Sequence, residues 1–273
     1  MQAYYRGEAG SAEQRYMSLD LLKFRALTWN TSGKLQASAR WALGAVWSEV
    51  LVFGGQLSHG LGSALAGGKV GRDGYLNYVA PGILLFTVAA AVQGTAIVVA
   101  MDMTGGIIDR FRTMAIARSS VLTGHVLAAL IQTMAGIGIV TGFAVALGFR
   151  PSAGVVSWLA ATGVLALFAF ALVWLATALG LAARSVETAS NTPMFITLLV
   201  FLGSGFVPAS TMPAGLEQFA RYQPFTPVTE TLRGLLTGTA IGTNGIAAVA
   251  WSAGIAFISY ICALHLYRNR RAS

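Results

Sequence analysis

The chain has 273 residues, of which 55% are hydrophobic and only 10% charged, and its mean hydropathy is +0.66. A soluble domain carries about a quarter of its residues as Asp, Glu, Lys and Arg, so a water-covered globule is excluded and an integral membrane protein is expected. The net charge of +8 would suggest nucleic acid in a soluble protein. Here the basic residues stand between apolar runs, so they read as membrane orientation and no nucleic-acid partner is expected. The single cysteine, Cys262, rules out an internal disulfide and a cysteine metal site.

From the N-terminus, residues 1–15 read as disordered and no cleavable signal peptide is visible, because residues 1–40 are mixed polar and basic. Residues 16–29 (YMSLDLLKFRALTW) suit an interfacial helix of modest amphipathicity, with Leu19, Leu22, Ala26 and Trp29 on one face. Residues 41–66 are apolar but carry Glu49 and His59, with a glycine cluster running from Gly54 to Gly68. A first span near 41–58 is favoured over a re-entrant segment.

The remaining spans follow from gaps between charges, since a charge at a helix centre costs about 2.5–3.5 kcal/mol on the insertion scale. Uncharged stretches of 28 to 34 residues separate Asp73 from Asp102, Arg118 from Arg150, Arg150 from Arg184, Glu187 from Glu217 and Arg233 from Arg268. They predict spans near 79–101, 121–148, 155–182, 191–207 and 244–266. With six spans, 13 of the 18 basic residues fall on one face, which places both termini in the cytoplasm. The domain reading is a cytoplasmic N-terminal segment over 1–40, a transmembrane domain over 41–268 and a basic cytoplasmic tail over 269–273.

Enzymatic chemistry finds few candidates. His59, His125 and His265 lie on separate segments, with no HExxH, GxSxG, Walker A or nearby acid–histidine pair in the sequence. Five spans hold no Asp, Glu, Lys or Arg, which argues against an ion-coupled carrier, although Glu49 remains unplaced. No catalytic residue, metal site or bound cofactor is expected on this chain, and any energy source must be external.

The loop DMTGGIIDRFRTMAIARSS (102–120) mixes Asp109, Arg110 and Arg112 with Phe111, Met114 and Ile116. From spacing alone it serves equally as a docking helix for a soluble partner or as an orientation anchor. Residues 206–238 contain Pro208, Pro213, Pro224 and Pro227, too many for a straight helix. Two short helices are predicted, over 214–222 and 227–236, with Glu217 and Arg221 paired and Gly238 as the stop. Re-entry into the bilayer is favoured over an ordinary loop, because Leu232, Leu235 and Leu236 would otherwise face water. Phe219, Phe225, Leu232 and Leu235 are expected to be buried in that arrangement.

The runs DRFRTMAIARSSVLTGHVLAAL (109–130), FVPASTMPAGLEQFARYQPFTPVTETLRGLLTG (206–238) and YVAPGILLF (78–86) together resemble type-2 ABC exporter permeases, in particular the daunorubicin-resistance-type membrane subunit. The chain departs from that pattern at Ala115, where the family has proline, at Gly215, where an aromatic precedes Leu216, and over residues 30–70. The resemblance implies an all-α polytopic fold in the cell (inner) membrane. It has six transmembrane helices, a cytoplasmic coupling helix after the second span and a re-entrant outer hairpin before the sixth. It further implies a permease homodimer paired with nucleotide-binding ATPase subunits that carry ATP and Mg.

On this reading Asp109, Arg110, Phe111, Arg112 and Met114 contact the ATPase. Pro208, Pro213, Phe219, Pro224 and Arg233 belong to an outer gate. Gln93, Thr95, Met194 and Thr197, uncharged polar or flexible positions near span centres, are candidates for the substrate path. The expected cargo is a hydrophobic small molecule, an antibiotic or drug-like compound; a lipid-linked polysaccharide exporter and a non-transporting membrane scaffold are the alternatives.

Overall fold

A computed structural model describes residues 72–104, 118–146 and 149–269, all within a compact unit formed by residues 45–273. The expected first span near 41–58 with Glu49, the interfacial helix at 16–29 and the segment holding Asp109, Arg110, Phe111, Arg112 and Met114 lie outside the described residues. The described residues are helical, with no strand among them.

Helix α1 runs Arg72–Thr104, α2 Arg118–Ala146 and α3 Val155–Ala182. Two short helices follow, α4 at Val186–Asn191 and α5 at Met194–Phe201. After a 3-10 turn at Ala209–Thr211 come α6 at Ala214–Tyr222, α7 at Phe225–Thr237 and the long α8 at Asn244–Asn269. Four stretches are long and apolar enough to cross a membrane: Asn77–Met103, Thr123–Ala146, Val155–Ala182 and Asn244–Tyr267. They coincide with four of the spans predicted from charge gaps.

The fifth, near 191–207, takes a different form. Its helix is interrupted at Thr192–Pro193 and ends at Phe201. Pro193 has no N–H to donate backwards, and past Leu202 the chain turns through Gly203, Ser204 and Gly205. An uncharged stretch records where charge is absent, not whether the backbone ladder is continuous.

Helix α3 is the hub, packing most extensively on α8 and α1. It buries residues on every side, among them Leu165, Phe168, Leu172, Trp174 and Leu181, as an all-round apolar helix must. Near one end of the bundle, Leu85, Val88 and Val92 of α1 pack with Phe168 of α3 and with Phe225, Val228 and Leu232 of α7. Phe168 and Phe225 meet edge to face at 5.2 Å. Near the other end, Val99, Val126, Trp174, Leu181, Ala263 and Tyr267 form a second cluster. Helices α2 and α8 leave large apolar side chains outward, including Leu127, Ile131, Ile246, Phe257 and Ile258.

Candidate functional site: a polar knot at one end of the bundle

The site begins with a defect in α1. Pro81 lies inside this helix, so the ladder lacks the N–H that would bond the Asn77 carbonyl. Beside that gap Arg233 of α7 donates from Nη2 to the Tyr78 carbonyl oxygen at 3.2 Å. The same nitrogen donates to the Ser204 carbonyl at 3.0 Å, while Nη1 meets Glu230 Oε1 at 2.6 Å. The guanidinium carbon stands 4.0 Å from the centre of the Tyr78 ring, a cation–π distance.

Tyr78 completes the link by donating its hydroxyl to the Ser204 carbonyl at 3.2 Å. The Ser204 N–H donates to Thr226 Oγ1 at 3.2 Å. One side chain, Arg233, therefore ties together α1, the turn after α5, and α7. The backbone approach that permits this is glycine on glycine. A Cβ added to Gly82 would fall 2.5 Å from the Gly205 carbonyl oxygen, and one added to Gly205 would fall 3.1 Å from Gly82 Cα.

The knot is not saturated. Both amide atoms of Gln223, the Ser204 hydroxyl, Arg233 Nε and Asn77 Oδ1 are buried without a hydrogen-bond partner in the protein. Gln223 is 5% exposed and its carboxamide lies against Gly203, where an added Cβ would sit 2.7 Å from Nε2. Buried groups left this way each cost about 1–3 kcal/mol.

The hairpin around the knot has helices at 214–222 and 225–237. Glu217 and Arg221 pair at 2.6 Å, and Gly238 ends α7 in the left-handed conformation at φ 75°. Phe225 and Leu232 are buried in the protein, whereas Phe219 is 48% exposed and Leu235 is half-buried. Of the residues assigned from sequence to an outer gate, Arg233 lies in the knot and Pro224 is the N-terminal cap of α7. Pro208, Pro213 and Phe219 are exposed and away from those bonds.

Two of the substrate-path candidates are engaged in hydrogen bonds. Gln93 Nε2 donates to the Ser190 carbonyl at 3.1 Å, which fastens α1 to α4. Thr95 bonds its own helix at Ala91. Met194 is exposed and Thr197 half-buried on α5.

Sequence reading missed Tyr78, Ser204, Gln223 and Glu230. It also recorded no acid–histidine pair, yet His125 Nε2 of α2 stands 3.2 Å from Asp102 Oδ2 of α1. Outside the spans, the Ser185 hydroxyl caps α4 by accepting from the Thr188 N–H. A hydrogen bond from that hydroxyl, foremost, holds the Glu187 carboxyl below its ordinary pKa. No group of three or more His, Cys, Asp or Glu able to hold a metal occurs among the described residues. The arrangement binds helices together.

Comparison with known proteins gives a consistent result. The model of the ABC-2 type transporter family matches residues 36–237. The chain is 28% identical over 199 residues to a daunorubicin resistance ABC transporter permease protein of Streptomyces coeruleorubidus, covering 72% of this chain and 70% of that one. It is 26% identical over 194 residues to a probable doxorubicin resistance ABC transporter permease protein of Mycobacterium tuberculosis, covering 69% of each.

Proposed function

The chain belongs to the ABC-2 type transporter family, and on that premise we propose that it is the permease half of an ATP-driven exporter of hydrophobic or amphipathic drug-like compounds. The observation that carries this reading is the family match over residues 36–237, joined to relatives named for daunorubicin and doxorubicin resistance. In the proposed assembly two permease chains cross the cell membrane with six spans each, the 191–207 stretch through α5 and the turn after it supplying one of them. Both termini lie in the cytoplasm. ATP and Mg belong to a separate nucleotide-binding subunit, which docks on Asp109, Arg110, Phe111, Arg112 and Met114.

In this orientation the polar knot sits at the outer end. Helices α6 and α7 re-enter the outer leaflet, and lipid covers Phe219. Arg233 latches that hairpin to α1, and its release wets Gln223 and Ser204, which removes part of the cost of their unpaired groups. Closed and released forms thus differ by less than the bonds of the latch alone would suggest. The compound passes along α1 and α5, near Gln93, Thr95, Met194 and Thr197.

The test is reconstitution of the permease with its ATPase subunit in liposomes, followed by doxorubicin fluorescence during ATP hydrolysis. ATP-dependent movement of the drug is expected. A double Arg110→Ala, Phe111→Ala change should lower drug moved per ATP about tenfold, within the usual range of inter-site coupling, with membrane insertion intact. Unaltered transport in that variant would remove the docking assignment, and a wild-type pair that moves no compound would remove the exporter reading.

A further inference from the structure

We infer that Asp102 and His125 form a clasp that holds together the two helix ends from which the 105–117 segment departs, and that both act as positioning residues for energy transfer from the ATPase. The inference rests on the exporter reading above. Asp102 sits in the last turn of α1, which ends at Thr104. That is the negative end of the helix dipole, where a carboxylate is disfavoured unless a cation or donor meets it. The imidazole of His125, two turns into α2, meets it at 3.2 Å. Glu217–Arg221 and Glu230–Arg233 join residues within one helix, whereas the Asp102–His125 contact joins two.

The surroundings give the clasp a firm footing. Val126, next to the histidine, is fully buried and packs in one cluster with Val99, one turn before the aspartate. Apolar packing therefore fixes the two backbones, and the polar pair sets the final separation just beyond it. The side chains are 32% and 24% exposed, so the pair is partly screened and contributes little to global stability. Its effect is local: it determines how far apart the base of the intervening segment stands when an ATPase pushes on it.

Two measurements decide the matter, in a Cys262→Ser background. The first needs no transport: spin labels at Thr104→Cys and Arg118→Cys report the separation of the two helix ends. A narrow distance distribution is expected with the clasp, a broader one in Asp102→Asn and in His125→Phe, and a narrow one again in the swapped Asp102→His, His125→Asp chain. The second is drug moved per ATP in the reconstituted pair. Each single variant should lower it about threefold, as loss of a partly exposed pair allows, and the swap should recover most of that loss.

Where a single variant inserts poorly, Asp102→Cys, His125→Cys bridged by a short bis-methanethiosulfonate reagent replaces it. Coupling should be near wild type when bridged and fall when the same sample is reduced. Distances that stay narrow in both single variants, or a swap no better than either, overturn the clasp. A broadened distance with unchanged drug moved per ATP overturns its role in energy transfer. Failure of the wild-type pair to transport at all strikes the exporter reading instead, and the spin-label distances still judge the clasp.

Discussion

Arg233 spends its guanidinium on two backbone carbonyls, one carboxylate and one aromatic face. With only 14% of its side chain exposed, little water can replace those partners. Arg233→Met should cost about 2 kcal/mol, since it takes a buried donor from two carbonyls and from Glu230. Arg233→Lys should recover only part of that, because an ammonium lacks the planar fork. Thermal unfolding in detergent should show the methionine variant lower by about 5 °C and the lysine variant between it and wild type. The arginine was singled out from the sequence as part of an outer gate, on the family resemblance. Its partners were not, because the carbonyls of Tyr78 and Ser204 lie 155 and 29 residues away and a carbonyl carries no residue signature. Asp102 and His125 escaped for a related reason, since only the packing of α1 on α2 brings them together.

At the scale of elements, the hairpin was the most readable part. Pro213 precedes α6, Pro224 caps α7, which starts at Phe225, two residues before the start expected from sequence, and Gly238 stops α7 in a conformation that costs residues with a Cβ about 1 kcal/mol or more. Two glycine changes in this hairpin should therefore have opposite signs. Gly238→Ala should destabilise by about 1 kcal/mol. Gly215→Ala, inside α6 with open space around the added methyl, should stabilise by about 0.4–1 kcal/mol. Apparent Tm values of the two purified variants, falling on either side of wild type, are the check. The α4–α5 element was harder to read because its interruption depends on Pro193 and on the turn through Gly203 and Gly205. Those residues set local backbone geometry and leave the hydropathy of the stretch almost unchanged.

For the molecule as a whole, charge gaps located four long helices without any knowledge of packing, because the cost of a charge in hydrocarbon is paid wherever the helix sits. They could not tell the hub from the rim: α3 and α8 are both apolar, yet one is enclosed and the other largely outward. A pair of truncations separates the two environments. Leu172→Ala on α3, 1% exposed, should cost about 2–5 kcal/mol through lost contacts and a cavity. Ile131→Ala on α2, 70% exposed, should cost under about 0.5 kcal/mol, as expected for a surface change away from such features. Denaturation curves in matched detergent should separate the two clearly, and near-equal losses would mean that another chain packs on Ile131.

The meeting of Gly82 with Gly205 limits how this fold can vary over time. At most packing contacts a larger residue on one side is accommodated by a smaller one opposite, so sequences can drift through reciprocal exchange of volume. Between these two positions the exchange has no partner to draw on, because nothing is smaller than hydrogen. Either helix and turn keep both glycines, or a change at one forces the backbones apart and takes the Tyr78–Arg233–Ser204 knot with it. The seam is thus a point at which the lineage of this chain has little room to wander, set by geometry before any demand of transport is considered.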